Sequence, residues 1–340
     1  MRRLNLNIFG LQHVYGLLPA GASPVRIPAL VREAERLGFH GVEIPSSVLT
    51  AATPEELRQA RDYASSQGLE ITTAVEGTDT AFLDRALGLT EALGSHLMRT
   101  VVGGAKFGGD RRPLAGKWKA FIVAARDALR PVVKRAEKLK VTVSIENHQD
   151  AASEDLLYLC KEIGSDNFGV TLDTANALAV AENPLDFLSA IVPHVKYAHL
   201  KDYVIHWTDE GYLLVRCPVG TGVVPMAETL AMLDRHGKAP SVSVELAALE
   251  ARHVRCFQDD FWPDYEPRSA HQFARVLAFV RKVARPAGED HRTPFERGEK
   301  PAAIATWELG QYQESIRQMS RLTGDKGPLK ALTEPAWSPS

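Results

Sequence analysis

VTVSIENH at 141–148 decides the fold when it is read beside FGVTLDTAN at 168–176, VKYAHLKD at 195–202 and PSVSVELA at 240–247. Each stretch alternates small or polar residues with apolar ones and ends on a metal-liking side chain: Glu146, Asp173, His199 and Glu245. Successive side chains of a β-strand point to opposite faces, so Thr142, Ser144 and Glu146 share one face, as do Thr171 with Asp173, Tyr197 with His199, and Ser241 and Ser243 with Glu245. The other face carries Val141, Val143 and Ile145, then Val170 and Leu172, then Val242 and Val244, an apolar surface for covering helices. Three carboxylates and one imidazole delivered by four strands to one point make an oxygen-rich site for a divalent cation.

Working outward, short apolar runs alternate with helical patterns along the chain. Strands are predicted at 4–9, 39–45, 69–75, 96–102, 141–146, 168–173, 195–200 and 241–246. Helices are predicted over roughly 25–37, 79–92, 117–138, 153–163, 225–236 and 268–284, with Gly38, Gly68, Gly164 and Gly237 near helix ends. Thr53, Pro54 and Glu56 spell a capping box, and Asn183-Pro184 repeats the cap-then-proline signal. Strict alternation implies parallel strands joined by right-handed crossovers. Eight such units, with polar residues at the C-terminal strand ends, fit an α/β fold of the (β/α)8 TIM barrel kind better than an open doubly wound sheet.

Residues 1–286 are assigned to this barrel, and 287–340 to a linker, a C-terminal helical extension and a flexible tail from Gly324. Residues 285–303 are rich in proline, glycine and charge. Beyond them Ile304, Trp307, Leu309, Tyr312, Ile316, Met319 and Leu322 recur at helical spacing, a stripe suited to packing on the chain's own barrel or on a partner subunit, including a second copy.

The 340 residues carry 40 basic and 42 acidic side chains, so there is no basic field for nucleic acid. No run of eighteen apolar residues suggests a membrane helix, and MRRLNLNIFGLQ lacks an uninterrupted signal-peptide core. Cys160, Cys217 and Cys256 are widely spaced and odd in number, which argues against a disulfide framework and fits a reducing cytoplasm. A small neutral or mildly anionic ligand is the expected partner.

With ENH, LDTAN and HLKD in this order at the ends of strands five to seven, the chain resembles the xylose isomerase-like TIM-barrel superfamily of sugar phosphate isomerases and epimerases over about residues 4–284. The Gly220-Thr221-Gly222 stretch resembles that family's glycine-containing loop. The resemblance implies one divalent metal, Mn²⁺ first and Mg²⁺ or Co²⁺ next, on Glu146, Asp173, His199 and Glu245. It implies isomerase or epimerase chemistry on a carbohydrate through an enediolate, with Glu146 and Glu245 doubling as acid and base. A lyase using the same enolisation is the alternative: cleavage of a 3-keto sugar like that of a C-glycoside deglycosidase, or dehydration of an inosose or dehydroshikimate-type substrate. In ketose 3-epimerases a histidine stands three positions after the aspartate; here Asn176 takes that place and is assigned to substrate binding. The DNA-repair endonucleases of the same fold need further histidines and a cationic groove that this sequence lacks.

Around these ligands His148, two residues past Glu146, is expected on the loop leaving strand five as a general base or a holder of a substrate hydroxyl. Lys201, Arg216 and Glu43 are assigned to substrate contact, Arg216 through a bidentate fork to a carboxylate or phosphate. Asp202 is expected to accept the other N–H of His199. Gln12 and His13 after strand one, and Trp262 as an apolar wall, complete the candidates.

Overall fold

The computed structural model describes residues 3–18, 25–236, 241–247, 249–286 and 290–323; the predicted tail from Gly324 and the helix end at Gly237 lie outside them. In chain order the strands are β1 (Leu4–Asn7), β2 (Gly41–Pro45), β3 (Glu70–Ala74), β4 (Leu97–Val101), β5 (Thr142–Glu146), β6 (Phe168–Asp173), β7 (Val195–Leu200), β8 (Asp202–Thr208), β9 (Gly211–Cys217), β10 (Val242–Val244) and β11 (Arg252–Val254). The helices are α1 (Ile27–Leu37), α2 (Ser46–Thr50), α3 (Pro54–Gln67), α4 (Thr80–Ala92), α5 (Trp118–Leu139), α6 (Ser153–Ile163), α7 (Pro184–Ile191), α8 (Met226–Arg235), α9 (Ala270–Val283) and α10 (Pro301–Thr323).

Eight parallel strands close into a barrel in the order β1-β10-β7-β6-β5-β4-β3-β2, which is the (β/α)8 arrangement. The predicted starts and stops are present. Thr53 and Glu56 form the capping box of α3, Asn183 Oδ1 accepts from Leu185 and Asp186 at the start of α7, and Gly38 and Gly68 close α1 and α3 with φ of 81° and 64°. Strand one is shorter than predicted. Asn7 Oδ1 accepts the Phe9 N–H at 2.8 Å and turns the chain into a 3-10 turn over Ile8–Leu11.

Outward-facing Val143, Ile145, Val170, Val242 and Val244 are buried under the helices, as the alternation requires. The barrel interior is polar instead: Ser144 and Thr171 share a hydrogen bond of 2.7 Å, and Asn7 Nδ2 donates to Ser243 Oγ at 3.4 Å. The α10 helix packs on its own barrel, with Tyr312, Ile316 and Met319 in the hydrophobic core, Ser315 Oγ accepting from Val219 N and Glu308 accepting from His13 N.

One element has no counterpart among the predicted strands. Strands β8, β9 and β11 form a separate antiparallel sheet in the order β11-β9-β8, grown from the end of β7. Asp202 anchors its root: Oδ1 accepts from Tyr203 N and Val224 N at 2.9 Å, and Oδ2 from Gly220 N and Gly222 N at 3.0 Å. Gly222 has to be glycine here, since a Cβ would lie 2.3 Å from Asp202 Oδ1 and 2.5 Å from Tyr203 O.

Candidate metal centre

Glu146 ends β5, Asp173 ends β6, His199 is the last residue but one of β7, and Glu245 directly follows β10. Parallel register brings them level, with Asp173 opposite His199 and His199 opposite Ser243. One ligand atom from each of the four lies within 4.8 Å of the others, and all four side chains are buried.

His199 is the hub of the cluster. Its Nε2 lies 2.9 Å from Glu43 Oε2, and its Nδ1 lies 2.5 Å from Glu245 Oε2 and 3.4 Å from Glu146 Oε2. The Lys201 ammonium contacts Asp173 Oδ2 and lies 2.7 Å from Glu245 Oε1. Arg99, from β4, places Nε 3.1 Å from Glu146 Oε2 and Nη2 3.5 Å from Glu43 Oε1. Asn147 holds the Asp173 backbone from both sides, accepting from its N–H at 2.6 Å and donating to its carbonyl at 2.9 Å.

Burial opposes every charge in this cluster, and for most members the neighbours overcome it. Against burial, Arg99 draws Glu146 down to about 2, and Lys201 with His199 holds Glu245 well below the ordinary carboxylate value. Against burial again, Glu43, Glu245 and Glu146 raise His199 well above an ordinary imidazole, and Asp173 and Glu245 raise Lys201. For Asp173 burial outweighs Lys201 and pushes the carboxyl up to about 7. Both Glu146 oxygens and His199 Nδ1 are buried without a hydrogen bond. Three carboxylates and an imidazole nitrogen converging on one point, with no donor aligned to hydrogen-bond either Glu146 oxygen, are what a hard divalent cation requires, so the donor set fits the metal. Glu43 on Nε2 directs the other ring nitrogen into the cluster, the usual outer support of a ligating imidazole.

The remaining candidates divide. Asn176 donates from Nδ2 to Asp173 Oδ2 at 2.6 Å and accepts from Tyr203 Oη at 3.0 Å. His148 is half-buried, its ring 6.2 Å from that of Phe107, and burial pushes it down to about 4, which leaves it neutral near pH 7. Glu43 sits against His199 and is 2% exposed. Arg216 is buried on β9, and its side chain has no hydrogen bond or ion pair among the described residues. Asp202 does not accept from His199: it is spent on four backbone N–H groups, and Glu43 takes the imidazole. His13 Nδ1 lies 2.8 Å from Glu308 Oε1, while Gln12 is buried. Trp262 donates from Nε1 to Cys256 O and packs on Phe261, Tyr265 and Phe273, anchoring its own loop. Sequence reading missed Arg99, whose signal was a lone guanidinium in the inward phase of β4, and Tyr203 and Arg252, which lie on the added sheet.

The three cysteines are free and buried. Among the described residues no helix is long and apolar enough to cross a membrane.

Comparison with known proteins agrees with the barrel fold. The family model described as xylose isomerase-like TIM barrel matches residues 31–258. A 3-oxo-isoapionate decarboxylase of Pectobacterium atrosepticum is 24% identical over 207 residues, covering 59% of this chain and 70% of that protein. The solved D-psicose 3-epimerase of Clostridium cellulolyticum H10 with D-tagatose superposes with a TM-score of 0.58 at 16% identity, covering 83% of this chain and 99% of that one. A xylose isomerase-like TIM barrel protein of Mycobacterium smegmatis in complex with magnesium gives 0.56 at 15% identity, covering 84% and 98%. These two structural likenesses establish the shared fold.

Proposed function

The chain belongs to the xylose isomerase-like TIM barrel family, and we propose that it is a divalent-metal-dependent isomerase or epimerase acting on a carbohydrate ketone. The observation that supports this most is the placement of two buried glutamates, Glu146 and Glu245, at 3.4 Å and 2.5 Å from His199 Nδ1. Glu146, Asp173, His199 and Glu245 would hold one ion, Mn²⁺ in first place and Mg²⁺ or Co²⁺ next, which when bound polarises the substrate carbonyl and stabilises the charge that enolisation puts on oxygen.

The chain's own groups do the rest. One glutamate takes the proton from the carbon beside the carbonyl, and the other, once protonated from solvent, returns a proton to that carbon from the opposite face. Arg99 and Lys201 offset the repulsion between the carboxylates. Glu43 fixes the imidazole, and Asn176 and Asn147 fix Asp173. Lys201 donates to a substrate oxygen, and Arg216 reaches an anionic group on the sugar.

A second reading, a lyase, draws on Lys201. An ammonium inside the cluster stabilises the charge of a leaving group β to the carbonyl, whether a 3-keto sugar is cleaved or an inosose or dehydroshikimate-type substrate is dehydrated. A neutral His148 two residues from Glu146 would then supply the base.

Ketoses, inososes and 3-keto-glycosides incubated with the enzyme and Mn²⁺ in D₂O test the shared core of both readings. The expected result is solvent deuterium at the carbon next to the carbonyl, seen by NMR. Product formed with all substrate hydrogens retained, under conditions that exclude internal transfer, would overturn enolisation.

A further inference from the structure

Tyr203, Arg216 and Arg252 lie on one face of the added sheet. Tyr203 pairs in register with Arg216, and Arg252 with Leu214, two residues before Arg216. Residues directly opposite across an antiparallel pair, or two apart on one strand, point to the same side, so the two guanidinium groups are diagonal neighbours. This face looks toward the metal centre, because Tyr203 Oη donates to Asn176 and Asn176 donates to Asp173.

Both arginines are withdrawn from water, Arg216 at 7% and Arg252 at 2% exposure. The Arg216 side chain has no hydrogen bond or ion pair among the described residues, and neither arginine's Nε has an acceptor. Arg252 stacks 3.6 Å above the Phe107 ring and pairs at 2.9 Å with Glu250, itself half exposed. Phe107 in turn meets the ring of His148, which ties this corner to the mouth of the metal centre. Burial and the neighbouring Arg216 together bring Arg252 down to about 10, and Arg216 also acts on Lys201. Like charges gathered out of solvent with unused donors destabilise a fold unless an anion joins them.

We propose that Arg216 and Arg252 form an oxyanion subsite beside the metal centre, which grips the carboxylate or phosphate of an acidic keto-sugar as a handle while the other end of the sugar reacts. The inference rests on the enolisation reading for that reacting end. A carboxylate held by a fork of N–H donors stays on the substrate, so the group bound here is a spectator and not the one transformed.

The test uses the full chain, dialysed free of metal, at constant ionic strength, with oxalate and then inorganic phosphate as probes. Thermal unfolding of the wild type should shift upward by about 2 °C or more at saturation. Arg216→Met should abolish the shift and Arg216→Lys should keep part of it; Arg252→Gln serves if the Met variant does not fold. No shift in the wild type, or an equal shift in Arg216→Met, overturns the subsite. Calorimetry with D-fructuronate, D-fructose 6-phosphate and D-fructose then identifies the handle. At least one acid should bind about tenfold tighter than the neutral sugar, and the tighter acid names the source as carboxylate or phosphate. Equal affinity for all three also overturns the proposal. Loss of deuterium exchange with the anion response intact would count against the enolisation reading alone.

Discussion

His148 separates the two chemistries proposed for the cluster. If the ligand glutamates carry the proton, His148→Ala should keep its metal and lose no more than about tenfold in rate, the scale of one positioning contact. If His148 is the base, the loss should reach roughly 10²–10⁴-fold, again with metal retained. Steady-state rates beside metal analysis decide between isomerase and lyase, and metal loss in the variant would instead make His148 a support for Glu146. Asp150, further along the same loop, gives a pH signature. Burial, opposed by backbone N–H groups, pushes it from 3.8 up to about 8. Between those values the native state keeps a proton that the unfolded chain has released, so rising pH removes stability across that window. Denaturant unfolding from pH 4 to 8 should therefore decline less steeply for Asp150→Asn than for the wild type. An equally steep decline would place the titration elsewhere.

The convergence of Glu146, Asp173, His199 and Glu245 was legible because strand alternation is local: a carboxylate in phase with serine and threonine at a strand end needs no knowledge of its neighbours. Arg99 and the role of Glu43 were not legible, since both depend on which strands become adjacent when the barrel closes, and Glu43 is 156 residues from His199. The β8–β9–β11 sheet escaped for a related reason. Its third strand joins only after residues 218–251 have intervened, and its polar members read as loop. Asp202 was given the wrong partner, because the N–H groups of Gly220, Gly222 and Val224, with that of Tyr203 beside it, compete for its carboxylate. The close approach at Gly222 gives this root a direct test. Gly222→Ala should cost at least about 2 kcal/mol in denaturant unfolding, because backbone and a buried carboxylate must both yield. A loss under about 0.5 kcal/mol would mean that the loop moves freely.

Across the molecule, an apolar outer shell holds the strands while a polar interior leads to one mouth, and the added sheet brings two further cations to that mouth. The barrel thus separates the residues that make it stable from those that give it chemistry. Everything proposed for function depends on the ion that Glu146, Asp173, His199 and Glu245 are proposed to hold. Calorimetric titration of the metal-free protein with Mn²⁺, run on the wild type and on Glu146→Gln, Asp173→Asn, His199→Asn and Glu245→Gln, tests this most directly. One ion per chain in the wild type, with affinity lowered at least about 100-fold in each variant of unchanged fold, is the predicted result. Stoichiometric binding that persists undiminished in any of the four would contradict it.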